Sequence, residues 1–293
     1  GSGNLGTALT TGTDNVAIGE ASLDAVTTGD NNTAVGDNAA GATTTGSSNT
    51  AIGADALLLN STASYNTAIG NDAMAANTTG AENTAVGWDA LTANTTASNN
   101  VAVGTTALGA NTTGTDNVAV GAYALDANTT TSDNTAIGDN ALGANTADNN
   151  TAVGSSALLV NTTGTANVAL GTSALAANTT ANSNTAIGKD ALLANTTGTR
   201  NVGVGASALK TITTASYNVG VGNDVLGANT TGANNTGVGD QALGANTTGT
   251  ENTAVGSAAL DANTTGNYNS GIGFNSLTAN TTGERNNAVG YGT

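Results

Sequence analysis

The chain contains no cysteine, no proline and no histidine. Without cysteine there are no disulfides and no thiol chemistry, a pattern compatible with the cytosol and with many secreted bacterial or viral fibres. Without histidine or cysteine, general acid–base or nucleophilic chemistry would fall to Asp, Glu, Lys and Tyr alone. The acids are spread along the chain without a dense cluster, and the sequence reads as that of a protein that is not an enzyme.

Aromatics and bases are scarce too. One Trp, five Tyr and one Phe are too few to fill the core of a conventional layered domain of 293 residues. Four basic residues against 20 acidic ones give a net charge of −16, which repels nucleic acid and anionic membranes. No apolar run approaches the ~20 residues that cross a bilayer, so membrane insertion of this segment is not expected.

What is present is a repeat. Asn-x-Ala/Gly-Val/Ile/Leu-Gly recurs with Asn at 15, 32, 49, 66, 83, 100, 117, 134, 150, 167, 184, 201, 218, 235, 252, 269 and 286. Every spacing is 17 except Asn134 to Asn150, which is 16 because the turn around Asn145–Asn149 is one residue short. The average unit is NTAVGxxALxANTTGxx, numbered here as positions 1 to 17. A fixed period near 20 residues marks a solenoid whose coils stack on one another. The expectation is an all-β parallel β-solenoid of about 17 coils with two short strands per coil. It would be a single domain over 1–293, with a degenerate first coil at 1–14, sixteen full repeats at 15–285 and a partial coil at 286–293.

Position 4 is aliphatic in all seventeen copies, and position 9 is Leu in fourteen of sixteen, with Ala40 and Met74 as the exceptions. These two ranks are read as the core, with positions 2 and 4 sharing the inward face. Gly at position 5, constant from Gly19 to Gly290, is expected where the chain bends with positive φ after a strand. Position 15, mostly Gly or Ala, marks a second corner. Disorder, the other home of low-complexity sequence, would not demand an aliphatic and a Gly at fixed places in every copy.

Asn at position 1, and at position 12 from Asn60 to Asn280 with a break at Ile212, is expected to form ladders of side-chain amides between coils. Asn-Thr-Thr at Asn77, Asn94 and Asn111 also matches a glycosylation acceptor.

Position 3 admits only tiny residues: Ala17, Ala34, Ala51, Ala68, Ala85, Ala102, Ala119, Ala136, Ala152, Ala169, Ala186, Gly203, Gly220, Gly237, Ala254, Gly271 and Ala288. With positions 2 and 4 inward, this rank would face outward, and its small size would mark a seam against another copy of the chain. No catalytic, cofactor or metal site is assigned. The column Asp55, Asp72 and Asp89 at position 7 is read as solvated carboxylates splaying apart, with a divalent cation between them as the alternative. Aromatics at positions 6, 7 and 17, Trp88 among them, lie on exposed corners.

The segments Asn49–Gly53, Asn83–Gly87 and Asn117–Gly121 resemble the N-x-V/T-A-I/V-G motif of YadA-like heads of trimeric autotransporter adhesins, and the longer unit is similar to repeats of phage tail-fibre-like proteins. The resemblance runs from Asn15 to Gly290. It implies a left-handed β-roll and a homotrimer with position 3 at the threefold axis.

The functional expectation is a structural rod of an extracellular fibre, filament or adhesin on a cell or virion surface, about 80 Å long at ~4.8 Å per coil. Its partners would be itself, as a homotrimer or head-to-tail filament, and a cell-surface receptor or matrix. The last unit stops part-way, which suits either a segment of a longer fibre or a half-coil completed by the next copy. An ice-binding solenoid using regular Thr ranks is the alternative.

Overall fold

The computed structural model describes residues 8–293, so the first seven residues of the degenerate leading coil lie outside the described residues. The protein is an all-β parallel solenoid whose seventeen strands each occupy positions 2 to 4 of a repeat, from Val16–Ile18 to Asn287–Val289. Two compact units are distinguished, residues 1–148 and 149–293. The division falls at the end of the 16-residue coil.

Within each unit, neighbouring strands pair in parallel and in register, like residue on like. Val101, Ala102 and Val103 pair with Val118, Ala119 and Val120 in the first unit. Val202, Gly203 and Val204 pair with Val219, Gly220 and Val221 in the second. An exact 17-residue period carries each side chain to the same place one coil on.

Each coil has one strand where two were expected, because the second half is a chain of turns. Positions 7 and 9 have left-handed φ, as at Asp55 (57°) and Leu57 (53°). Three-residue turn bonds close around them: the Ala56 N–H donates to Gly53 O, Leu58 to Asp55 O, and Asn60 to Leu57 O. Positive φ at the third turn residue is what a type II turn requires. A non-glycine residue there costs roughly 1–2 kcal/mol, which the ladder bonds offset. The turns still bond between coils, with the Leu57 N–H donating to Ala73 O at 3.0 Å and that of Thr78 to Thr95 O at 2.9 Å.

Gly at position 5 has the expected positive φ, 138° at Gly53, and a second constraint as well. A Cβ there would lie 2.4 Å from the Gly70 carbonyl oxygen of the next coil. The other left-handed corner falls at position 17, as at Tyr65 and Asp116, and not at position 15.

The inward face of the strand is the reverse of that expected. Position 3 is buried in every copy from Ala34 to Gly271 and half-buried at Ala17 and Ala288, whereas positions 2 and 4 face out. The core is formed by Ala at position 3, Ala and Leu at positions 8 and 9, and the two Asn ranks. Leu at position 9 was read correctly as core; the aliphatics at position 4 were not.

Candidate functional site: the outward sheet face

The rank from Ala17 to Ala288 is small because the coil's own interior crowds it. A Cβ on Gly203 would sit 3.4 Å from Leu192 Cγ, and one on Gly271 would sit 3.2 Å from Leu260 Cγ. Leu at position 9 of one coil thus rests on position 3 of the next. Those seventeen residues therefore cannot form a seam between copies of the chain; they line the interior of a single one.

Asparagines seal the rest of the interior. The backbone N–H and Nδ2 of Asn49 donate to Asn32 Oδ1 at 3.0 and 3.1 Å, and Asn32 Nδ2 donates to Gly46 O at 2.9 Å. At position 12, Asn94 Nδ2 donates to Asn77 Oδ1 at 2.9 Å and to Ala97 O at 3.1 Å. Both expected ladders are thus present. Ile212 breaks the second one, leaving the buried Asn195 Oδ1 without a hydrogen bond. Asn77, Asn94 and Asn111 are fully buried and their amides are engaged, which closes them to a glycosyltransferase in the folded chain.

Position 13 hydroxyls are also committed, as with Thr78 Oγ1 donating to Thr95 O at 2.9 Å. Charges and aromatics lie on the corners. Arg200 sits 5.4 Å over the Tyr217 ring and donates from Nη1 to its hydroxyl at 2.6 Å, and Arg285 lies 5.4 Å over the Tyr268 ring. Phe274 and Tyr291, in consecutive coils, stack at 5.4 Å.

Among the described residues no group of three or more acidic side chains converges as a metal site, and no cavity opens. Asp55 accepts from Asn38 Nδ2 at 3.1 Å. Burial, with the Asp72 charge behind it, raises the Asp89 pKa above the usual carboxylate range. Burial also raises that of Asp126, against an opposing pull from backbone N–H groups.

The outward face of the strands is what remains. Position 2 is Thr in nine copies and Val in six, with Ser270 and Asn287 in the last two, and position 4 is always Val, Ile or Leu. Ile18, Ile52, Ile69, Ile137, Leu170 and Ile272 are 37–59% exposed. In-register pairing turns the two positions into parallel columns of like side chains, an apolar strip with coils ~4.8 Å apart and ranks ~7 Å apart. Strips of this kind on soluble proteins mark contact surfaces. Its signal was legible as the unbroken aliphatic position 4; its direction was not.

No protein family and no curated protein matches this chain.

Proposed function

We propose that the chain is a non-catalytic structural segment of an extracellular fibre, filament or adhesin. It assembles with further copies of itself through the outward columns of positions 2 and 4. The observation that supports this is the continuity of those columns: an aliphatic side chain at position 4 of every coil, in register within each unit, and half-exposed or exposed. Leaving a Val or Ile exposed forgoes roughly 1.5–3 kcal/mol relative to burying it, so a surface that repeats this in every coil gains from a partner with the same period. The resemblance to adhesin heads and tail-fibre repeats points the same way, as does an interior closed by Asn ladders with no room for a ligand. Sedimentation velocity tests the reading. The native chain should sediment as an oligomer, and Val204→Glu with Val221→Glu should return it to its 27.8 kDa monomer mass. A native protein that already sediments as the monomer refutes the proposal.

One observation favours ice binding as a second reading. Thr33, Thr50, Thr67 and Thr84 follow one another outward and half-buried at position 2, in register beside the aliphatic rank. Thermal hysteresis of the purified protein that is lost in Thr50→Lys/Thr67→Lys would establish it, and no hysteresis at micromolar concentration would exclude it.

A further inference from the structure

Charge divides unevenly between the two units. Residues 1–148 hold fourteen carboxylates and no Lys or Arg; residues 149–293 hold the other six carboxylates and all four cations, Lys189, Arg200, Lys210 and Arg285. Net charges are therefore −14 and −2, which sum to the −16 of the chain.

The first unit's carboxylates sit where they bracket the apolar strip. Glu82, Asp116 and Asp133 occupy position 17, two residues before the outward position 2. Asp89 and Asp139 occupy positions 7 and 6, just beyond the outward position 4. Between these margins lie Val86, Val101, Val103, Val118, Val120 and Ile137, with Thr84 and Thr135 among them, all on the outward side of paired strands. Within one chain the Asp89 carboxyl pKa is raised chiefly by burial, with the neighbouring Asp72 charge adding to it.

From this arrangement we infer that the sheet face of the first unit is a docking surface for a cationic amphipathic helix. The first unit of a second copy suits it poorly, so self-association through these columns would run through the second unit. Face-to-face closure would bring two carboxylate-rimmed strips within a Debye length, ~8–10 Å, with no cation to separate them. A helix with a leucine-like stripe and lysine margins suits it on three counts. Its apolar stripe matches a strip ~7 Å wide, its pitch of ~5.4 Å approaches the ~4.8 Å coil spacing, and its charges complement both rims. The second unit, whose strip is edged by cations as well as acids, lacks this complementarity.

The inference shares with the self-association proposal the outward facing of positions 2 and 4, but it does not require self-association. The experiment uses the full chain and a Lys/Leu peptide of about 18 residues with leucines at helical spacing. Trp88, the single tryptophan, sits half-exposed on the rim of the first unit and reports binding by its emission.

The peptide is expected to bind, to shift Trp88 emission, and to weaken in high salt. Binding should fall roughly tenfold or more in Val103→Glu/Val120→Glu, a loss of ~1.4 kcal/mol. It should fall also in Asp116→Asn/Asp133→Asn/Asp139→Asn, whose fold circular dichroism would verify, and stay unchanged in Val204→Glu/Val221→Glu. Attraction by charge alone would instead tighten when glutamates are added at 103 and 120, and that result overturns the inference. So does an unmoved Trp88 signal, or equal binding of a Glu/Leu peptide. Sedimentation of the same samples separates the two ideas: a monomeric chain that binds the peptide removes self-association and keeps the docking surface.

Discussion

At the scale of single residues the interior is governed by volume and by amide pairing. Val225 stands at position 8 where most coils have Ala, and the neighbouring position 3 residues are Gly220 and Gly237. A Cβ on Gly237 would lie 2.6 Å from Val225 Cγ2, so the extra methyls of one residue occupy the space its neighbour gives up. Gly237→Ala should cost about 1–3 kcal/mol, and Val225→Ala should recover most of it in a double-mutant cycle read by denaturant unfolding. Gly203→Ala meets nothing closer than 3.3 Å and should be neutral or slightly stabilising.

The Asn ladder supplies a second test. Asn94→Ile would leave Asn77 Oδ1 as Asn195 Oδ1 is now, at about 1–3 kcal/mol per orphaned group. The reverse exchange, Ile212→Asn, gives Asn195 Oδ1 its donor, and its cost is expected below about 1 kcal/mol because the regained bond offsets the lost apolar burial.

Asp126 adds a pH-dependent term. Its pKa is raised in the folded chain, so the folded state holds its proton more firmly than the unfolded one. Stability from this group is full below the unfolded value of 3.8 and is lost as pH rises through the folded value. Asp126→Asn should raise the melting temperature at pH 7, with the gain vanishing near pH 3.

At the scale of the coil, a three-residue strand flanked by turns has only one inward side chain. Ala119→Glu and Val120→Glu, adjacent in sequence, should therefore behave oppositely. The first buries a carboxylate beneath Leu108 of the preceding coil and should unfold the region by circular dichroism and proteolysis. The second leaves the fold intact and alters only what the outward face can touch.

Much of the coil was legible in advance: the period, the Gly bend at position 5, Leu at position 9, both amide ladders, and the one-residue deletion taken up by a turn, where Asn145 Nδ2 reaches Ala147 O two residues on. The orientation of the strand was not legible, because alternation is satisfied equally with positions 2 and 4 inside or outside. Nor was the second half, since left-handed φ at Leu57 and its equivalents violates the local preference of Leu and is imposed by ladder bonds and burial.

At the scale of the whole molecule, the fourteen carboxylates of the first unit have no cation of their own unit to offset them. Moderate salt should stabilise the protein by screening that repulsion. Hydrogen exchange should show the protection of residues 8–148 rising more between low and physiological ionic strength than that of residues 149–293. Equal responses in both units would show that corner carboxylates are already solvated well enough to ignore one another.

The sequence by itself determined that this chain winds into like coils and which residues stack on which, because a 17-residue period broken only once leaves in-register columns as the way to pair the buried amides. The tertiary structure alone decided which columns are enclosed. The space opposite each strand is filled by Ala at position 8 and by Leu of the neighbouring coil, contacts that appear only once coils lie on one another. That filling leaves room inside for Ala or Gly and sends the aliphatic ranks to the surface.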